Sequence, residues 1–275
     1  MSGVRIKAQK TVIDERWLDR IGTTFRFDHA KGLAEWLKNS VDAYIREDTS
    51  DNEQFIFLRF QSKTKQKPVQ FECIDFVGMT HDDIEKAFKR WGDPDAANRG
   101  GKYRTYGGHG NGGKFYMRQM FSTSRFVTYR NGRINVFGFN EKKKYGFAEG
   151  LDNEKMSSKR ALDLAGISWI NFPDVVRKRF NSSETRFTVV IGEGPRKMRG
   201  RNTVPNICQR LQVHPQSRKI IEHDEVYTLI DEQRDGIKLE PARINPRPGF
   251  EGPYEYPMPT KLVFGTSEVE MADDK

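Results

Sequence analysis

The feature of this chain that most constrains its fold is the way helical and strand-like patterns alternate along it. Asp28 is a suitable N-cap for a helix that runs to about Arg46. Two strands follow at 55–61 and 69–75, and a helix over 82–91, capped by Thr80, comes after them. This order predicts an α+β fold, in which helices cover one face of a mixed, mostly antiparallel sheet.

The clearest local signal is Asn131-Gly132, the preferred central pair of a two-residue hairpin turn, between strands at 125–130 and 133–139. Composition changes after Pro195, which predicts a main domain at 1–195 and a small C-terminal α/β extension at 196–275. The other predicted elements are a short helix at 14–21, helical character at 115–121, strands at 167–172 and 186–191, a helix at 203–211 with Pro205 in its first turn, short strands near 225–230 and 260–264, and a polar, mobile stretch at 140–163.

Composition limits the class of protein. No run of about 18 apolar residues is present, so we expect no membrane-spanning helix. The N-terminus lacks the apolar stretch of a signal peptide, and two distant cysteines, Cys73 and Cys208, do not form a disulfide framework or zinc site. We therefore expect a cytoplasmic protein.

The net charge is +9, and it is unevenly distributed. Residues 1–195 hold 34 Lys and Arg against 25 Asp and Glu, whereas residues 196–275 hold 13 of each. Such a positive field suits nucleic acid, although a solvated basic surface that also attracts nucleotide is the better explanation of any single charge run.

Three short segments carry candidate chemistry. In the first, Glu35, Asn39 and Asp42 are four and three residues apart, so they share one face of the predicted helix. Any surface helix shows such a stripe, but oxygen donors in this arrangement also suit Mg²⁺ and phosphates.

The second segment is Asp75-Phe-Val-Gly78-Met79, in which an acid ends a strand and a glycine follows. Taken alone, this pattern is an ordinary turn signal. In the third segment, five glycines fall between residues 107 and 113, directly before Lys114 and a helical stretch. Glycines allow backbone N–H groups to face an anion at a helix N-terminus, but Phe115 after the lysine excludes a Walker loop.

In this order and spacing, the three segments resemble the nucleotide site of the GHKL ATPases, the superfamily of DNA gyrase, heat-shock-90 chaperones, histidine kinases and MutL. The glycine segment is most similar to that of MORC-like members. The resemblance covers residues 14–192 and implies the Bergerat fold, a two-layer α/β sandwich. It implies ATP and Mg²⁺ as ligands, a lid at about 92–113, and ATP hydrolysis to ADP and phosphate that is slow without a partner.

The resemblance also assigns roles to residues. Glu35 corresponds to the general base, Asn39 to the Mg²⁺ ligand and Asp75 to the acceptor of the adenine amino group. Thr185 would assist Asp75, although Glu184 stands where the family has glycine, and the loop after Asp75 is one residue shorter than the family's Asp-x-Gly-x-Gly-Met. The remaining nucleotide-binding positions implied are Asp42, Ala43, Gly78, Met79, Gly108, Gly110, Asn111, Gly112, Gly113 and Lys114.

Two alternatives stay open. A GHKL-type protein kinase would need a phosphoacceptor histidine on an upstream helical hairpin, and the residues before Glu35 show no such pattern. A nucleic-acid-binding module regulated by nucleotide is favoured by the basic charge, but no helix-turn-helix, zinc or RNP-like motif supports it. The C-terminal segment or a partner, which would be another protein or a second copy of the chain, is expected to receive the effect of lid closure.

Overall fold

The computed structural model describes residues 27–50, 53–65, 67–89, 91, 111–180, 185–231 and 238–246, together with the backbone of two strands at 261–264 and 267–270. The predicted helix at 14–21, most of the predicted lid, and the glycines Gly108 and Gly110 lie outside these residues.

Seven α-helices occur in this described part of the chain. They are α1 (His29–Arg46), α2 (His81–Asp83), α3 (Gly112–Met120), α4 (Ser158–Ala165), α5 (Asp174–Phe180), α6 (Val204–Leu211) and α7 (Pro215–His223). A π-helical segment, Ile84–Phe88, continues α2, and 3-10 turns occupy Ile167–Trp169 and Gly200–Asn202. None of the helices in these ranges is long and apolar enough to cross a membrane.

The strands form one large sheet and a separate hairpin. They are β1 (Phe55–Gln61), β2 (Gln70–Asp75), β3 (Thr123–Arg130), β4 (Arg133–Phe139), β5 (Tyr145–Phe147), β6 (Glu154–Lys155), β7 (Phe187–Glu193), β8 (Glu225–Asp231), β9 (Ala242–Arg243), β10 (Lys261–Phe264) and β11 (Ser267–Glu270). The large sheet has the order β5-β4-β3-β7-β2-β1-β8-β9, with β6 also paired to β4, while β10 pairs with β11. Only the β1–β8 pair is parallel among these, so the fold is α+β with a mixed, mostly antiparallel open sheet, as predicted.

Apolar side chains are buried on both faces of the large sheet. Ile56 and Phe57 are consecutive in β1, so they point to opposite faces, and they belong to two different buried clusters. The first cluster includes side chains of α1, α3, α6 and α7, and the second includes side chains of α4 and α5. The sequence predicted helices on one face of the sheet only. The structure also has α4 and α5 on the second face.

The early elements agree closely with the sequence prediction. Asp28 caps α1 by accepting a hydrogen bond from Lys31 N at 3.2 Å, and α1 ends at Arg46. Asn131 and Gly132 have φ of 53° and 71°, so the β3–β4 hairpin has the positive-φ turn that Asn-Gly favours. Local signals were sufficient here because capping and turn chemistry depend on a few neighbouring residues.

Two expectations were wrong. The predicted strand at 167–172 is a 3-10 turn at Ile167–Trp169 followed by an isolated bridge from Ile170 to Leu239. Ile167, Ile170 and Phe172 are buried whereas Trp169 is exposed, and this spacing is not the alternation of a strand. The polar, mobile stretch at 140–163 contains β5, β6 and α4 instead, because Tyr145 and Phe147 are buried beside Phe137.

The chain after residue 195 joins the same sheet and core. The strand β8 pairs with β1 over seven residues. Ile207 of α6 and Ile220 of α7 are fully buried in the cluster that contains α1. The sequence predicted neither α7 nor α5.

Candidate functional site

A cavity of about 670 Å³ lies between α1, the loop after β2, the π-helical segment and the start of α3. Segments from residues 36–47, 75–88 and 113–117 form most of its wall, although they are far apart in sequence, and side chains of β3 and β7 complete it. The predicted site residues that line this cavity are Asn39, Asp42, Ala43, Asp75, Gly78, Met79, Gly113 and Lys114.

The helix α1 carries the predicted acidic and amide stripe along one edge of the cavity. Leu33, Leu37 and Val41 are buried in the core and fix the orientation of the helix. Asp42 is only 4% exposed, whereas Asn39 is an exposed side chain in the cavity wall. The ordinary interpretation of the stripe is a solvated face of a surface helix. The burial of Asp42 does not agree with that interpretation.

Glu35 lies one turn before Asn39 and is not itself part of the cavity wall. Its Oε1 accepts a hydrogen bond from Lys38 Nζ at 2.8 Å, and the Lys38 side chain is largely buried. Glu35 also lies directly against Gly112, where an added Cβ would come within 2.0 Å of Glu35 Oε2. The carboxylate is thus held between a lysine and the start of α3.

Asp75 is a second buried carboxylate in the cavity wall, with an exposed fraction of 6%. Its Oδ2 accepts a hydrogen bond from Ser40 Oγ at 3.0 Å, and its Oδ1 accepts one from Val77 N at 3.2 Å. Burial raises the pKa of Asp75 to about 6, although these two hydrogen bonds act to lower it. A carboxylate that is buried in a cavity wall and has a shifted pKa is typical of a functional site, so Asp75 is a functional candidate.

The shortened loop after Asp75 is held by Gly78, whose φ is +73°. A Cβ there would come within 2.4 Å of Tyr129 O, so both the backbone conformation and the space require glycine. Met79 N donates a 2.6 Å hydrogen bond to Thr128 Oγ1. This bond fixes the loop on the sheet and places Met79 in the cavity wall.

The structure places a different threonine near Asp75 from the one that the sequence indicated. Thr185 precedes β7, lies outside the cavity wall, and donates from Oγ1 to Arg179 O at 3.1 Å. Thr188 is paired with Asp75 across β2 and β7, lines the cavity, and its Oγ1 is 3.0 Å from Thr128 Oγ1. Strand register decides which threonine faces the site, and register is a tertiary property.

The start of α3 packs closely against α1. An added Cβ on Gly113 would come within 2.3 Å of Asn39 Nδ2. Asn111 occupies the N-cap position, but its side chain makes no capping hydrogen bond. Together with the contact of Gly112 and Glu35, this glycine pair brings the backbone of α3 against the polar side chains of α1.

Lys114 is buried in the cavity wall, with an exposed fraction of only 2%. Its Nζ lies 5.6 Å from the ring centroid of Phe88 and 5.3 Å from that of Trp91, which is a cation–π arrangement. Both aromatic residues precede the predicted lid. The sequence predicted that Lys114 supplies a charge to phosphates, and it gave no sign of this aromatic contact.

The end of the cavity next to Gly78 carries a network of charged side chains that the sequence did not indicate. Glu47 accepts hydrogen bonds from Arg130 Nη1 at 2.8 Å and from Arg186 Nη1 at 2.7 Å. Burial would raise the pKa of Glu47, but the two arginines outweigh it and lower that pKa. Glu47 and Arg130 both line the cavity, so the network joins the end of α1 to β3 and to the chain before β7.

No group of three or more His, Cys, Asp or Glu side chains in the described ranges is arranged to hold a metal ion. Mg²⁺ needs few protein ligands where phosphates and water supply the others, so Asn39 remains a suitable donor. The chain matches no protein-family model and no curated protein.

Proposed function

We propose that the protein binds ATP with Mg²⁺ in this cavity and hydrolyses it slowly, as a GHKL-type ATPase with a Bergerat fold. One observation carries the proposal: the described residues of three segments that resemble the GHKL motifs converge on one cavity, although more than 25 residues separate each segment from the next. A chance resemblance in sequence would not require the three segments to share a cavity.

The residues present fit a nucleotide. A cavity of about 670 Å³ is within the range of ligand sites. The ionised Asp75 carboxylate, buried beside Gly78, can accept a hydrogen bond from the exocyclic amino group of adenine. At the other end, Asn39 offers an amide oxygen to Mg²⁺, and Gly113 and Lys114 offer a backbone N–H and a cation to the phosphates.

Hydrolysis would depend on Glu35. Bound ATP supplies the phosphoanhydride bond, and Glu35 would orient a water molecule and accept its proton. The 2.8 Å contact with Lys38 and the close approach of Gly112 hold the Glu35 carboxylate in place. We propose that a lid or a second subunit completes this arrangement, so the isolated chain turns over slowly.

Calorimetric titration with a non-hydrolysable ATP analogue and Mg²⁺ tests the binding proposal. We expect saturable binding by the wild type and at least a tenfold loss of affinity in Asp75→Asn, since the amide places an N–H donor beside the adenine amino group. Asp83→Asn is the matched control, because it removes a carboxylate from the same cavity wall at an exposed position. Wild-type protein that binds no nucleotide, or equal losses in the two variants, would refute the assignment.

Glu35→Ala tests the proposed catalytic role. We expect the rate of phosphate release to fall at least a hundredfold while the affinity for the ATP analogue changes less than threefold, because a general base contributes about 10²–10⁴-fold to rate. Phosphate release and calorimetry on the same preparation measure both quantities. A parallel loss of binding would show that Glu35 holds the nucleotide or α3 rather than activating water.

A further inference from the structure

The loop between β7 and α6 has the highest local density of positive charge in the C-terminal part of the chain. Four of the six residues at 196–201 are Arg or Lys, and none is acidic. The four cations are exposed: Arg196, Lys197, Arg199 and Arg201. Residues 202–275 hold only 9 Lys and Arg against 13 Asp and Glu, so the loop stands out from the sequence that follows it.

The backbone of this loop is held by hydrogen bonds from three directions. Arg196 N donates to Met120 O at 2.8 Å, and His29 Nε2 donates to Arg196 O at 2.8 Å. Asn202 Nδ2 donates to Lys197 O at 3.1 Å. A charged loop whose backbone is already ordered loses less conformational entropy when it binds a partner.

An exposed aromatic ring lies beside the cations. Phe27 is 37% exposed, and Lys197 Nζ lies 4.0 Å from the centroid of its ring. Its φ of 55° is uncommon for a bulky residue, and Asn202 Nδ2 stabilises this conformation by donating to Phe27 O at 2.6 Å. The same asparagine therefore positions both the ring and the basic loop.

The acidic residue that follows Phe27 is already paired. Asp28 follows Phe27, and Arg210 forms an ion pair with it. Burial acts to raise the pKa of Asp28, but the hydrogen bond and charge of Arg210, with the charge of Arg201, outweigh it and lower that pKa. Asp28 is therefore ionised at neutral pH, and Arg210 balances its charge.

We propose that the basic loop at 196–201 and the ring of Phe27 form a binding surface for single-stranded nucleic acid. The arginines and the lysine would contact phosphates, and an unpaired base would stack on Phe27. Single strands are favoured over duplex because a stacked ring needs an accessible base face. A membrane surface is disfavoured because it would need an apolar helix face next to the cations, and the loop has none.

Fluorescence anisotropy with a fluorescein-labelled 20-nucleotide oligo(dT), titrated at several salt concentrations, tests this surface. We expect Arg199→Ala/Arg201→Ala to weaken binding at least tenfold and to reduce the salt slope by about 1.4, since each lost phosphate contact removes about 0.7 from that slope for single strands. Lys155→Ala/Lys159→Ala is the matched control, with the same change in charge at two exposed lysines on β6 and α4, and it should change affinity less than twofold.

Phe27→Leu separates stacking from charge. It should weaken binding about fivefold or more while leaving the salt slope unchanged, because no phosphate contact is lost. Three outcomes would overturn the proposal: no wild-type binding at low salt, equal losses in the two charge variants, or tighter binding to phosphatidylserine vesicles than to the oligonucleotide. Thermal unfolding checks that each variant is folded. If Phe27→Leu does not fold, the result for Arg199→Ala/Arg201→Ala decides the test.

Discussion

Among single residues, Asp75 shows most clearly how a candidate functional residue differs from a residue of an ordinary turn. An acid before a glycine is common in sequences, and nothing in the local pattern indicates that this carboxylate is buried. In the fold it is covered by α1 and the neighbouring strands, with Ser40 and Val77 as hydrogen-bond donors. Burial makes the charged form less favourable, which raises its pKa.

This raised pKa predicts a dependence of stability on pH. The pKa of Asp75 is about 6 in the folded protein against an ordinary value of 3.8, so folding takes up a proton between these values. The contribution of Asp75 to stability is therefore largest below pH 3.8 and is lost as the pH rises through 6, by up to about 3 kcal/mol. Asp75→Asn does not titrate, so its free energy of unfolding relative to the wild type should increase by most of that amount from pH 4 to pH 7, the remainder falling below pH 4.

Urea unfolding of both proteins at several pH values measures the difference. Comparison with the variant is needed because the buried, neutral His29 acts in the opposite direction: burial lowers its pKa, so its effect destabilises the fold as the pH falls below 6.5. A difference between the two proteins that stays constant from pH 4 to pH 7 would show that Asp75 is ionised throughout.

At the scale of elements, the contact between α1 and α3 depends on glycines with different roles. Gly32 lies against the ring of the fully buried Tyr116, where an added Cβ would come within 2.0 Å of the ring. Gly113 instead lies against the end of the exposed Asn39 side chain. The first glycine permits helix packing, and the second permits the backbone of α3 to reach a candidate ligand of Mg²⁺.

Gly32→Ala and Gly113→Ala should therefore affect different properties of the protein. We expect Gly32→Ala to lower the free energy of unfolding by about 1–3 kcal/mol, because a buried ring cannot move without disturbing the core. Gly113→Ala should leave stability within about 1 kcal/mol, since alanine is a better helix former and Asn39 can turn away. Its affinity for the ATP analogue should nevertheless fall at least tenfold.

Urea unfolding and calorimetry on both variants separate these two roles. Equal losses of stability would mean that Gly113 also serves only helix packing. Unchanged nucleotide affinity in Gly113→Ala would mean that Asn39 does not contribute to the site.

For the whole molecule, the sheet extends beyond the region that resembles the GHKL ATPases. The strand β8 covers the edge of β1, and α6 and α7 bury side chains against α1. A sequence division at 195 separates a region of positive charge from a balanced one, but it does not follow the boundary of the hydrophobic core. The two differ because charged residues lie mainly on the surface, whereas the core is determined by the packing of apolar side chains.

A fragment of residues 1–195 should consequently fail to fold as a cooperative unit. It would leave the edge of β1 that β8 covers unpaired and expose the side of α1 that α6 and α7 cover, and both changes favour aggregation. Size-exclusion chromatography and thermal unfolding of the fragment, beside the full chain, measure this. A monomeric fragment with a sharp unfolding transition would show that residues 196–275 are an independent extension.

The sequence by itself determined the elements whose signals are local. Asp28 specifies the start of α1, Asn131-Gly132 specifies the β3–β4 hairpin, and the spacing of Glu35, Asn39 and Asp42 specifies one face of a helix. These features depend on interactions between residues a few positions apart. The order of the three motifs likewise required only the chain, and it identified eight of the residues that line the cavity.

Only the tertiary structure decided which distant groups meet. The register of β2 and β7 placed Thr188, and not Thr185, beside Asp75. Packing placed Lys114 between two aromatic rings and joined Glu47 to Arg130 and Arg186. Register and long-range packing depend on the free energy of the whole sheet and its core, which no short segment contains.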